Sequence, residues 1–334
     1  MSSKLDSKKI LLAAAECRGL AKVGGLGDVV FDLAQHLTER GHDVSVVLPA
    51  YGSQKILSAH VLDFLVPFGE SPVTTRLLQV EKSFPVKTFL IDGPFFSGDW
   101  GEIYIDSQAR QKGPFEDDAL RFAFFCRALH VLFKTHPHFQ SREIAHLHDW
   151  HTGFLPLLLK LDPPKNIPKT LFTIHNLDYQ GIRPWDSPGI PWGGFRQWFP
   201  DLWEKLLESP DFGPASDPRY SECINPMRCG IKLSLGVSTV SPTYAQEITQ
   251  ADAPGRGFIG GRGLEHDLSQ RLAEGRLWGI LNGLDAKDHV PRQAGRPLDA
   301  DDPQLFLAKR ALRSDFLAQL PFLVGEAKAR LGQR

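Results

Sequence analysis

Short, largely apolar runs alternate with helical periodicities along most of the chain. Lys9 to Ala15 (KILLAAA), Val44 to Leu48 (VSVVL), Val86 to Ile91 (VKTFLI), Ile144 to His148 (IAHLH), Lys169 to Ile174 (KTLFTI) and Gly236 to Val240 (GVSTV) are runs of five to seven residues. Runs of this length without strict alternation predict strands buried on both faces, as in a parallel sheet. Between the first two, Asp28 to Arg40 places Val29, Val30, Leu33, Ala34 and Leu37 on one face and is followed by Gly41, which predicts a helix ending in a left-handed residue. Helical patterns recur over Asp117 to Phe133 and Thr152 to Leu161. A strand, a helix and a strand in so short a stretch form a βαβ unit, whose crossover is nearly always right-handed. The pattern predicts an α/β fold, with residues 1–285 forming one doubly wound parallel sheet and no internal repeat.

Composition narrows the partners. The chain has 334 residues, 42% of them hydrophobic, enough for a large core. Its 38 basic and 39 acidic side chains leave a net charge of -1, so no whole-chain field recruits nucleic acid or an anionic membrane. Cys17, Cys126, Cys223 and Cys229 form no CxxC motif, which points to reduced thiols and a cytoplasmic setting. The start, MSSKLDSKK, is polar, and no apolar run approaches the roughly 18 residues that span a bilayer. We therefore expect a local small-molecule site, with neither nucleic acid nor membrane as partner.

Candidate chemistry clusters where predicted strands end. KVGGLGDV follows the first strand; Lys22 supplies a mobile positive charge, and Gly24, Gly25 and Gly27 let the backbone approach a ligand at a helix start. Asp28 is placed to cap that helix. The loop is neither GxGxxG nor a P-loop, and a tight turn with a solvated lysine is the plain alternative. In HLHDWH, His146 and His148 lie two apart on a strand and point the same way, with Asp149 and His151 just beyond. A metallohydrolase HxHxDH motif is close, but the aspartate comes one position early, so hydrogen-bonded structural histidines are the alternative to a metal site. TLFTIHNLDYQG brings His175 and Asn176 to the same sheet edge as Lys22 and Asp149. Several strands delivering polar groups to one rim argue for a site more strongly than any motif alone.

Five motifs, KVGGLGDV, HLHDWHTG, TIHNLDYQG, VSTVSPTYAQEI and GILNGLD, occur between Ile10 and Asp285 in the order and at about the spacing of bacterial glycogen synthases and plant starch synthases, which the chain resembles. The resemblance implies a Rossmann-like sheet forming the N-terminal half of a two-Rossmann-domain glycosyltransferase. It implies transfer of glucose from ADP-glucose to the 4-hydroxyl of an α-1,4-glucan with retention, no metal and no cofactor, and so sets the metallohydrolase alternative aside. Carried over, Lys22 matches the KxGG lysine at the donor's phosphate and glucose end, with Gly24 and Gly25 supplying loop amides and Asp28 beside them. Asp149 and His175 match glucose-pocket residues and are the candidate catalytic pair, with Asn176 next to them and Glu16 matching an acidic residue upstream. Trp185, Trp192, Trp198 and Trp203 lie in a Pro- and Gly-rich stretch from Gln180 to Trp203, read either as an acceptor-side stacking surface, with Trp192 as candidate contact, or as filling beneath a loop. Arg262, in the loop GRGFIGGRG, is a further candidate for a polar ligand.

Beyond GILNGLD the family continues into a second domain that holds the nucleotide, whereas 49 residues follow Asp285 here. Ala308 to Leu317 resembles the linker helix and PFLVGEAKARLGQR the first strand of that domain, so residues 286–334 are expected to be a linker and a truncated domain start. The expectation is a synthase-type chain inactive alone, for which a separate polypeptide carrying the second domain is a candidate partner. The alternative is a non-catalytic α-glucan-binding or regulatory module.

Overall fold

A computed structural model describes residues 6–52, 56–81, 84–96, 103–104, 118–189, 193–283, 292–293 and 296–297. Trp192 and the segment Ala308 to Leu317 lie outside the described residues. The chain divides into two compact units, Met1–Asn282 and Gly283–Arg334. In the second, two short antiparallel strands pair Arg292 with Pro297 and Gln293 with Arg296.

The first unit is built on strands β1 (Lys9–Ala13), β2 (Asp43–Pro49), β3 (Ser58–Val66), β4 (Val73–Val80), β5 (Lys87–Asp92), β6 (Ile144–His148), β7 (Lys169–Ile174), β8 (Arg183–Pro184), β9 (Cys223–Ile224), β10 (Gly236–Thr239) and β11 (Leu277–Gly279). Nine form one sheet in the order β11-β10-β7-β6-β1-β2-β5-β4-β3, while β8 and β9 pair separately. From β11 to β5 all pairings are parallel. Successive strands leave β1 in opposite directions, β2 on one flank and β6 on the other, so the chain reverses its winding there. In such doubly wound, Rossmann-like sheets, ligands gather in the crevice at that reversal, beyond the carboxyl ends of the strands.

All six strands expected from apolar runs are present, within a few residues of their expected limits. β3 and β4 escaped that criterion. They add an antiparallel edge to β5, and β3 alternates between exposed and half-buried positions, with Leu65 60% exposed. One face of this edge meets water, so neither strand carries a continuous apolar run.

Helix α1 spans Gly25–Glu39, starting three residues before the expected Asp28. Its N-cap is Gly24, with no side-chain cap, so Asp28 lies in the first turn and is not the cap. Helix α2, Asp118–Thr135, is buried on nearly every side, including Phe122, Phe124, Phe125 and Leu129 at 0% exposure. Two buried arginines on it are satisfied by carbonyls: Arg121 Nε donates to Phe95 O and Arg127 Nε to Pro67 O, both at 3.1 Å. A tight turn over Trp150–Thr152 precedes the helix Phe154–Leu161, with Gly153 between them. A Cβ on Gly153 would lie 2.0 Å from the carbonyl oxygen of Pro226, so glycine is what lets the two backbones meet.

Candidate functional site

The loop after β1 is organised from beneath by Glu16, which is 2% exposed. Its Oε2 accepts the N–H groups of Val23 at 2.7 Å and Gly24 at 2.9 Å, and its Oε1 accepts the Tyr104 hydroxyl at 2.5 Å. A carboxylate thus fills the amide nest at Val23 and Gly24, leaving the helix dipole and the free N–H groups from Gly25 onward to attract a further anion. Lys22 Nζ lies 2.7 Å from Asp28 Oδ2, and Arg18 pairs with Asp28 and Asp32. Lys22 and Asp28 therefore come together as an exposed ion pair at the lip of the loop. Among the described residues, nothing lies within 4 Å of where a side chain on Gly24 or Gly25 would stand.

β6 and β7 supply the other half of the site. Asp149, the first residue after β6, has φ 58° and ψ 177°, a conformation few residues other than glycine adopt, at a cost of about 1–3 kcal/mol. It is held there by its N–H donating to Thr173 O at 2.9 Å and by its Oδ1 accepting the His175 N–H at 2.7 Å. The aspartate is thus tied to the end of β7, and its carboxyl caps the start of the TIHN loop. Burial pushes its pKa up to about 7, against the two backbone N–H groups of His175 and Asn176 that favour the charged form. Near neutrality such a carboxyl can both accept and donate a hydrogen bond. Burial also pushes His175 down to about 4, so its ring is neutral at pH 7.

Asp149 and Asn176 line a pocket of about 230 Å³ with Tyr104, Asp118, Trp150, His151 and Tyr179. Tyr104 donates its hydroxyl to Glu16, so one carboxylate links the glycine loop to the pocket. Asp118 is anchored by Arg183 at 2.7 Å, and Tyr179 hydrogen-bonds the same guanidinium at 3.2 Å. In the sequence Glu16 stands out only through the family resemblance, and Tyr104, Asp118 and Tyr179 do not stand out. Tyr104 lies far from every motif in sequence and is brought in by the fold. Tyr179 sits inside TIHNLDYQG, where an aromatic three residues beyond Asn176 was the available signal.

The histidines of HLHDWH do not converge on one point. His146 and His148 share a face of β6 and stack with ring centroids 4.4 Å apart. His146 Nε2 bonds Thr173 Oγ1 at 2.7 Å and His148 Nδ1 bonds His175 Nε2 at 3.0 Å. His151 faces away, packed 4.5 Å from Phe122 and 4.3 Å from Trp150. Among the described residues no group of three or more His, Cys, Asp and Glu side chains could hold a metal ion.

Trp185 and Trp198 are 6% and 1% exposed, so these two fill the core and offer no stacking face, while Trp203 is half-buried against the same core with the Arg196 guanidinium 5.8 Å from its ring centroid. Of the two readings of this stretch, burial selects core filling for Trp185 and Trp198; Trp192 lies outside the described residues. Arg262 is engaged by Asp178 at 2.7 Å and Asp252 at 3.5 Å, and it borders a separate pocket of about 430 Å³ with Arg183 and Arg219. Among the described residues, no helix is long and apolar enough to cross a membrane.

Comparison with known proteins identifies the family. Residues 9–270 match the family described as the starch synthase catalytic domain. The chain is 36% identical over 293 residues to the glycogen synthase of Gloeobacter violaceus, covering 84% of this chain and 50% of that protein. It is 33% identical over 292 residues to the glycogen synthase of Exiguobacterium sibiricum, covering 85% of this chain and 53% of that one. Among solved structures it is similar to the catalytic domain of starch synthase IV from Arabidopsis thaliana bound to ADP and acarbose, with a TM-score of 0.70 and 28% identity over 94% of this chain and 59% of that one. The chain spans about half the length of the curated relatives it matches.

Proposed function

This chain belongs to the starch synthase catalytic domain family, and from that premise we propose that it forms one wall of a retaining glucosyltransferase site that takes glucose from ADP-glucose and adds it to the 4-hydroxyl of an α-1,4-glucan. One observation carries the reading: Glu16, through Tyr104, joins the Lys22–Gly24–Gly25 loop to the pocket of Asp149 and Asn176 at the winding reversal of the sheet.

The chemistry follows from where charge develops. As ADP departs, its diphosphate gains negative charge and the sugar ring gains positive charge. Lys22 and the N–H groups at the start of α1, from Gly25 onward, suit the first; fixed donors and dipoles of this kind stabilise charge most where water is excluded. Asp149, buried and tied to the His175 N–H, suits the second, and a neutral His175 hydrogen-bonds a sugar hydroxyl without repelling the ring's growing positive charge. Asn176, exposed at the rim, offers an amide to the same sugar. The residues beyond Asn282 form a separate unit, and we assign the nucleotide contacts to a second wall, in the family's two-domain manner, supplied by further chain or by another polypeptide. A cytoplasmic setting fits the four unpaired thiols, three of them buried.

The test is a graft. Residues 9–270 replace the matching stretch of the Gloeobacter violaceus glycogen synthase, and transfer of radiolabelled glucose from ADP-glucose to glycogen is measured. Transfer that collapses with Asp149→Asn or His175→Ala supports the reading. A folded graft that binds both substrates and transfers nothing refutes it.

A further inference from the structure

The mechanism above uses His175 but leaves its neighbour His148 without a role. His148 is 0% exposed, and its Nδ1 lies 3.0 Å from Nε2 of His175, closer than ring stacking alone requires. Two neutral imidazoles in this contact share one proton along the line between them, and two arrangements are available. Either His148 Nδ1–H donates to a bare His175 Nε2, or His175 Nε2–H donates to a bare His148 Nδ1. The other nitrogen of His148 decides between them. Nε2 of His148 is buried and has no hydrogen-bond partner among the described residues. In the second arrangement that atom carries the proton and becomes a buried N–H with nothing to donate to, one of the rarest conditions in folded proteins. In the first it is only an unused lone pair, which is tolerated more readily.

We propose that His148 is the positioning residue for His175: by donating its Nδ1 proton it fixes His175 as the Nδ1–H tautomer, so that the nitrogen of His175 left for substrate is a hydrogen-bond donor and not an acceptor. The inference rests on the functional reading of His175 for what that donor meets, a sugar oxygen, but the tautomer itself does not depend on that reading. The rest of the cluster serves the same end. His146 stacks on His148 at an interplanar angle of 24° and is itself held by Thr173 Oγ1, which bonds Ser238 Oγ at 2.7 Å. Three neighbouring strands, β6, β7 and β10, thus fix the plane of the His148 ring. The His175 backbone is pinned separately, by its N–H on Asp149 Oδ1. With the ring orientation and the backbone both fixed, one proton position remains, and His148 sets it.

The experiment is nitrogen-15 NMR of the whole 334-residue chain with labelled histidine, His175 being assigned by its loss in His175→Gln. Two-bond couplings distinguish the tautomers directly. In the unmodified chain His175 is expected with its proton on Nδ1 and Nε2 bare but hydrogen-bonded, and His148 with its proton on Nδ1. His148→Asn, whose amide can donate from nearly the same place, should keep the His175 tautomer. His148→Phe should release it toward Nε2–H. A His175 found as Nε2–H in the unmodified chain overturns the proposal whatever the variants do, and so does a tautomer that His148→Phe leaves unmoved. None of these readouts requires transfer activity. A chain with the expected tautomer and an inactive graft would therefore sink the functional reading and leave this inference standing.

Discussion

Glu16 accepts the backbone N–H of Gly24 at 2.9 Å, so the glycine loop is held from below by a buried carboxylate before any ligand arrives. The same carboxylate takes the Val23 N–H and the Tyr104 hydroxyl. Removing it strands three donors, at about 1–3 kcal/mol for each one left unsatisfied. Glu16→Ala should therefore lower the unfolding free energy by about 2 kcal/mol or more in urea titrations. Glu16→Gln, which keeps an oxygen in place, should cost less. Equal losses for the two would mean that the carboxylate does not organise the loop.

Glycines near the site separate into two kinds. A Cβ on Gly153 would meet the Pro226 carbonyl at 2.0 Å, and one on Gly181, whose φ is +71°, would meet the Trp150 ring at 2.1 Å. A Cβ on Gly25 would meet nothing within 4 Å among the described residues. Gly153→Ala and Gly181→Ala should each cost about 1–3 kcal/mol of stability, from overpacking and strain. Gly25→Ala should change stability by less than about 1 kcal/mol in either direction while weakening transfer in the grafted enzyme, because open space beside the loop is what a ligand would use. Thermal unfolding of the three variants distinguishes these outcomes.

Acid should destabilise the fold well above the ordinary carboxylate range. Burial lowers His130, His146 and His175 from 6.5 to about 4 and His151 to about 3. Each then favours the folded state fully above pH 6.5 and loses that contribution as pH falls toward 4, because the unfolded chain binds the proton more readily. Asp149 acts oppositely: raised from 3.8 to about 7, it favours folding at low pH and loses its contribution as pH rises through 7. Four histidines outweigh one aspartate. Calorimetry should find Tm falling by about 5 °C or more between pH 6.5 and 4.5; a flat or rising Tm across that interval contradicts the buried, neutral state assigned to these rings.

Trp198 is 1% exposed and packs edge-on against Phe154 with ring centroids 5.9 Å apart. Trp198→Ala should therefore cost about 3–5 kcal/mol of stability, as a core truncation does. In a fold that survives the substitution, glucan affinity should be unchanged. Reduced affinity at unchanged stability would restore the stacking role.

What the sequence made legible follows one physical line. Strands buried on both faces announce themselves as apolar runs, so β1, β2, β5, β6, β7 and β10 were readable, and the loops that follow β1, β6 and β7 could be assigned to one rim. β3 and β4 were not, because half of their surface faces water. The cap of α1 was misassigned to Asp28 because an aspartate at a helix start usually caps, whereas here it answers Lys22 and leaves the loop amides to Glu16. Tryptophans among prolines and glycines look the same in sequence whether they face sugar or core, and only packing separated them. Tyr104 reaches the site from a segment that carries no motif, and the partnership of His148 with His175 crosses 27 positions of chain.

The central claim is that this sheet edge forms one wall of a glucosyltransferase site that an α-glucan acceptor also meets, and titration of the 334-residue chain with maltoheptaose tests it most directly. The indole resonance of Trp150, which lines the pocket, reports occupancy. ADP-glucose is the comparison ligand: with Lys22 paired to Asp28 and the Val23 and Gly24 amides to Glu16, only the amides from Gly25 onward remain for a diphosphate here, and the other nucleotide contacts are assigned to the second wall. The account predicts a saturable shift with maltoheptaose at a dissociation constant on the order of millimolar, about 4 kcal/mol, and weaker binding of ADP-glucose. No saturable shift with maltoheptaose, or tighter binding of ADP-glucose, would contradict it.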